Sequence, residues 1–135
     1  MIEEVEKLLT HSVEYATELL VETGESYPFG AFIDTIGNVH PLEMEIDSKK
    51  VPTIGQVIDN LTGYCEGEMK ASKMNGYALA YEVKLQLEED AEAIDAIAFD
   101  ITHFEEEDAP LFYLPFTTTP ERKATVGELF AVKRS

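Results

Sequence analysis

Apolar residues recur every three or four positions near the start of the chain, at Ile2, Val5, Leu8, Leu9, Val13, Ala16, Leu19 and Leu20. Glu3, Glu4, Glu6, Lys7 and Glu14 mostly occupy the other side. This spacing predicts an amphipathic helix over residues 2–21, stopped by Gly24 and kept from continuing by Pro28. The period then shortens to two. Residues 29–34 and 39–46 read as strands around Thr35-Ile36-Gly37-Asn38, a hairpin turn in which Gly37 supplies positive φ. Glu43, Glu45 and Asp47 alternate there with Leu42, Met44 and Ile46, giving the second strand one wet face.

A second helix is announced by Pro52 and by Thr53 with Gln56 three residues later, the spacing of a capping box. Its apolar stripe is Ile54, Val57, Ile58, Leu61, Cys65 and Met69. Gly55, Gly63 and Gly67 each weaken its intrinsic propensity by about 1 kcal/mol relative to Ala, so packing has to hold it. Tyr77, Leu79, Tyr81, Val83, Leu85 and Leu87 then alternate with Ala78, Ala80, Glu82, Lys84, Gln86 and Glu88, the clearest strand pattern in the chain. Residues 94–103, 111–117 and 128–134 read as three more strands, with breaks at 88–90, 105–108 and 118–124. The order is α-β-β-α-β-β-β-β in a single domain, residues 1–135. It predicts an α+β fold: an antiparallel sheet of five to six strands with two helices packed on one face.

Charge narrows the partners. The chain has 135 residues, with 27 acidic against 10 Lys and Arg, a formal net charge of -17. Such a surface repels nucleic-acid phosphates and anionic headgroups, so neither nucleic acid nor membrane is expected as a partner. A basic protein is. Selection for solubility, or a halophilic source, produces the same acidic excess. The start of the chain lacks the basic and apolar regions of a signal peptide, and no apolar run approaches the roughly 20 residues of a membrane helix. A lone cysteine fits a reducing compartment, so a cytoplasmic protein is expected.

No residue pattern assigns catalysis, a metal or a cofactor. His11, His40 and His103 lie at no ligand spacing, and His103 shares parity with Ile97, Phe99 and Ile101 as a histidine at the edge of the core. Cys65 falls on the apolar stripe of the second helix, where a thiol behaves as a small inert hydrophobe. No G-x-S-x-G, phosphate loop or H-E-x-x-H is present. Glu105-Glu106-Glu107-Asp108 lacks the geometry of a calcium loop and reads as a solvated loop or a surface for a basic partner. Tyr27 and Phe29 either staple the first helix onto the sheet or act as exposed anchors.

The stretch Gly24-Glu25-Ser26-Tyr27-Pro28-Phe29-Gly30-Ala31, with Ile33-Asp34-Thr35-Ile36-Gly37 after it, resembles a motif of small uncharacterised bacterial α+β proteins. The resemblance extends to Thr102-His103 and to Leu114-Pro115-Phe116. It implies a fold and carries over no functional residue.

The residues thus favour a non-enzymatic, immunity-, chaperone- or inhibitor-like binding module, steered to a basic protein by charge. Its candidate contacts are Tyr27, Phe29, His40, His103 and the run from Glu105 to Asp108. The alternative is a small-molecule-binding domain or enzyme whose pocket lies between sheet and helices, with His40, His103 or Tyr113 as polar groups. A homodimer joined through a sheet edge or the stretch around Phe29 is a third possibility, opposed by self-repulsion.

Overall fold

A computed structural model of the chain describes residues 2–24, 28–42, 53–86, 88–106, 109–121 and 124–133. The elements are α1 (Glu3–Thr23), β1 (Phe29–Ile33), β2 (Val39–Leu42), α2 (Ile54–Lys70), β3 (Gly76–Leu85), β4 (Ile94–His103), β5 (Leu111–Thr118), β6 (Ala124–Val126) and β7 (Phe130–Val132). The α+β class and the element order are as the periodicity predicts, with one short strand more. Glu43 to Ile46, expected in β2, lie outside the described residues.

Local chemistry explains where the helices begin and end. Glu3, Glu4 and Glu6 in the first turn of α1 complement its dipole, and Gly24 closes it at φ 73 with its N–H on the Leu20 carbonyl. At the start of α2 the Thr53 hydroxyl accepts from the Gln56 N–H at 3.1 Å, and the Gln56 side chain accepts from the Thr53 N–H at 2.9 Å. That reciprocal pair is the capping box. Val57, Leu61 and Cys65 form its buried stripe, whereas Ile54 is exposed.

The strands run in the order β2-β1-β3-β4-β5-β6, with β7 also on β5, and every pairing is antiparallel. Gly76 allows β3 and β4 to pair closely at one end, since a Cβ there would meet the Thr102 carbonyl oxygen at 2.6 Å.

The helices do not share a face, which corrects the expected arrangement. Ala78 and Ala80 of β3 join Phe29, Ala31 and Ile33 beneath α1, while Tyr77 and Leu79 join Phe32 beneath α2. The sheet is therefore a central layer with a helix on each side. Its inner strands are buried on both faces, as the unbroken burial of Gly76 to Ala80 requires. The small Ala78 and Ala80 side chains make room for α1.

The expected closing strand, 128–134, is represented by β7, and β6 is the additional strand, beginning at the end of the expected break 118–124. Between the pairs Phe116–Val126 and Tyr113–Phe130, residues 127–129 oppose only Leu114 and Pro115, so one extra residue forms a bulge. The Gly127 N–H donates to the Pro115 carbonyl at 2.8 Å, which places the Pro115 nitrogen on the same outer side, where it has no proton to donate. The bulge changes which face the strand presents. Val126 packs on the α1 side, but Phe130 reaches the α2 side and lies against Tyr113 with ring centroids 5.7 Å apart.

Candidate functional site

One end of the sheet, here termed the acidic pole, gathers the start of α1, the β1–β2 turn, the loop before β3 and the turn after β4. Its centre is His103, whose side chain is fully buried. The Glu105 N–H donates to His103 Nδ1 at 3.1 Å. Nδ1 is therefore an acceptor and Nε2 carries the proton, which it donates to Glu4 Oε1 at 2.7 Å. Asn75 Nδ2 donates to the same carboxylate oxygen at 3.1 Å. The His103 hydrogen bond, seconded by Asn75, holds the Glu4 carboxyl below its usual range against the opposing effect of burial.

The surrounding backbone is tied to this node. Asn75 donates its N–H to the Ile33 carbonyl at 2.8 Å and accepts from the Phe104 N–H at 3.1 Å. Lys7 Nζ donates to the Gly37 carbonyl at 3.4 Å. Gly37 takes φ 91 in the β1–β2 turn, so the expected left-handed position is occupied. Asp34 caps this turn: its Oδ1 accepts from the N–H groups of Ile36 and Asn38 at 3.0 and 2.9 Å. Its Oδ2 meets His40 Nε2 at 2.7 Å, and this contact is the chief reason its carboxyl lies below the usual range.

Phe104 is the outward feature of the pole. Its ring stacks on the buried His103 imidazole with centroids 4.9 Å apart and planes 26° from parallel. Yet it remains 58% exposed. Ile36, at the tip of the β1–β2 turn, is 80% exposed. Glu3, Glu4, Glu6, Asp34, Glu105 and Glu106 supply carboxylates to the same end.

The residues singled out by sequence fall into separate groups. His103, Glu105 and Glu106 meet at the pole, where His103 and Glu106 form an isolated bridge. His40 stands on β2, partly exposed, stacked on Phe32 at 5.0 Å and paired with Asp34. Phe29 is buried and packs edge-on against Tyr15 of α1 at 4.7 Å, which makes it a staple and removes it from any binding surface. Tyr27, Glu107 and Asp108 lie outside the described residues. Glu4 and Asn75 were not anticipated. Their only sequence signal is polarity, and the 99-residue separation of Glu4 from His103 becomes a contact through topology alone.

Both His103 ring nitrogens are engaged by the protein, leaving neither to take a substrate proton. Burial pushes the Cys65 thiol up to about 12, which keeps it from acting as a thiolate. Among the described residues no group of three His, Cys, Asp or Glu side chains is placed to hold a metal ion. A groove of about 430 Å³ between α1 and β2 includes Glu3, Glu6, His11 and Glu14. A cleft of about 280 Å³ between α2 and β4 includes Glu66, Tyr77 and Asp100. Small-ligand pockets are enclosed hollows running upward from about 300 Å³, whereas the groove lies open to solvent and the cleft falls short of that size. Comparison of the chain with protein families, curated proteins and solved structures gives no match.

Proposed function

We propose that the chain is a non-enzymatic, cytoplasmic binding module whose acidic pole engages a basic protein. The observation that carries this reading is Phe104, an exposed aromatic ring stacked on the buried His103, itself bonded to the Glu4 carboxylate and bridged to Glu106. An aromatic held in place loses little entropy on binding and fits the character of an interface anchor. The surrounding carboxylates steer a cationic partner to it and contribute mostly to the association rate. No helix among the described residues is long and apolar enough to cross a membrane.

The test compares the natural chain with a Phe104→Ser, Glu105→Lys double variant as baits in native lysate at low salt, followed by a salt gradient. One basic protein that elutes over a narrow salt range from the natural chain and is missing from the variant is expected. The same eluate from both baits would remove the pole from the binding surface.

A further inference from the structure

Two turns of the acidic pole are capped in the same way by different chemistry. In the β1–β2 turn, Asp34 Oδ1 accepts from the N–H of Ile36, two residues on, at 3.0 Å. In the turn after β4, His103 Nδ1 accepts from the N–H of Glu105, also two residues on, at 3.1 Å. Each turn is closed by a backbone bond of 3.2 Å, from Gly37 N–H to the Asp34 carbonyl and from Glu106 N–H to the His103 carbonyl. Asp is a common acceptor at this place in a turn. Its carboxyl here lies below the usual range, so the Asp34 cap survives mild acid. An imidazole nitrogen accepts only while it carries no proton, and imidazoles change charge between about pH 5 and about pH 8.

We propose that His103 is a pH-sensitive latch: in mild acid a proton on Nδ1 displaces the Glu105 N–H and loosens the turn that presents Phe104. The Nε2 proton already goes to Glu4, so a second proton can enter only at Nδ1. There it faces the Glu105 N–H, and two donors cannot share one bond. The peptide between Phe104 and Glu105 does not simply turn over to offer its carbonyl. That form of the turn needs positive φ at Glu105, and neither Phe104 nor Glu105 takes it. The cap is therefore lost and not replaced. The Phe104 N–H on the Asn75 carbonyl and the Glu106 N–H on the His103 carbonyl keep the turn attached, so the change stays local.

The surroundings admit a charged ring without unfolding. From α1, the Glu4 carboxylate lies 2.7 Å from Nε2, with Lys7 one turn further acting on that carboxylate. In the turn itself Glu105 and Glu106 follow His103, and Glu106 Oε2 accepts from the Ile2 N–H at 3.5 Å. Asn75, in the loop before β3, and Gly76, opposite His103 on β3, bring no charge. The Phe104 ring covers one face of the imidazole, a position that suits a cation. Burial and the Glu105 N–H oppose the charge, and the carboxylates favour it. What yields is the weakest of these, a single bond from a backbone N–H at the surface.

The test is NMR of the whole chain from about pH 7.5 to about pH 5. At neutral pH the His103 ring nitrogen shifts should place the proton on Nε2. On acidification the Glu105 amide should lose about fivefold of its exchange protection, the worth of one hydrogen bond, at the midpoint where the His103 ring titrates. Ile36 and Asn38, capped by Asp34, should keep theirs. Glu4→Gln retains an acceptor for Nε2 but removes the charge, and should move the shared midpoint to lower pH, while His40→Gln leaves it in place. Thermal melts establish that each variant is folded, and the natural chain alone supplies the decisive readout. A neutral ring protonated on Nδ1, a ring that stays uncharged to about pH 5, Glu105 protection that does not follow the ring, or an equal loss at Ile36 overturns the proposal. So does an unmoved midpoint in folded Glu4→Gln. That acid thereby weakens binding at the pole rests on the proposed function, whereas the latch is read on the chain alone, so failure of one leaves the other standing.

Discussion

On its α1 side the sheet is roofed by a 21-residue helix that packs against β1, β2, β3, β4 and β6; on the other side the 17-residue α2 packs mainly on β1 and β3. The same strands therefore serve a full core on one face and half a core on the other. Phe99 and Ile97 on β4 point to the filled side and are completely buried. Tyr113 and Pro115 on β5 point to the other side and are only partly buried. Apolar side chains that a helix covers contribute to stability, and those left uncovered contribute less.

Truncation of one residue on each face tests the contrast. Phe99→Ala should destabilise the chain by about 3–5 kcal/mol, through lost transfer energy and the cavity left behind. Tyr113→Ala should cost less than about 1.5 kcal/mol, because its site borders solvent and can relax. Urea unfolding of both variants provides the comparison. Equal losses would mean that the outer half of the α2 side is core as fully as the α1 side.

The pole contributes an intermediate effect. Glu4→Ala leaves the His103 Nε2–H and the Asn75 amide without their acceptor, and loss of a buried partner of this kind costs about 1–3 kcal/mol. The effect has a definite dependence on pH. The Glu4 carboxyl titrates lower in the folded chain than its ordinary value of 4.5, so its stabilisation is complete above that value. It is lost as the pH falls through the lowered folded value. The gap between the natural chain and Glu4→Ala should thus be fully present near about pH 7 and shrink as the pH falls below the ordinary value of 4.5 and through the lowered folded value. A gap that stayed constant in acid would show that Glu4 contributes by packing and not by charge.

Much of this arrangement is readable in the chain because its signals are local. Gly24, the Thr53–Gln56 box and the alternation after Tyr77 each fix an element within a few residues. Ala78 and Ala80 are different. Alanine suits either environment, so alternation alone reads the Tyr77 face as the buried one and misses that both faces are covered. The cue is steric: two alanines after Gly76 make a shallow track that admits a helix. The bulge between β6 and β7 has a similar cue in Pro115, whose missing N–H becomes meaningful only once its partner strand is known. The Glu4–His103 pair has no local cue, since α1 and β4 meet only after three strands have been ordered between them.

The smallest effect concerns a flaw in the filled side. Ser12 lies on the buried face of α1 among Leu8, Leu9 and Ala16, completely inaccessible, and its hydroxyl has no hydrogen-bond partner among the described residues. An unpaired buried hydroxyl costs free energy, and Ala is also the better helix former. Ser12→Ala should therefore stabilise the chain by about 1 kcal/mol, read as a higher urea midpoint at unchanged slope. The sign is the informative part, because almost every other truncation beneath α1 should be destabilising. A lowered midpoint would mean that the hydroxyl is satisfied in solution and that the α1 side is less completely closed than its apolar lining implies. In that case the difference between the two faces would be one of degree.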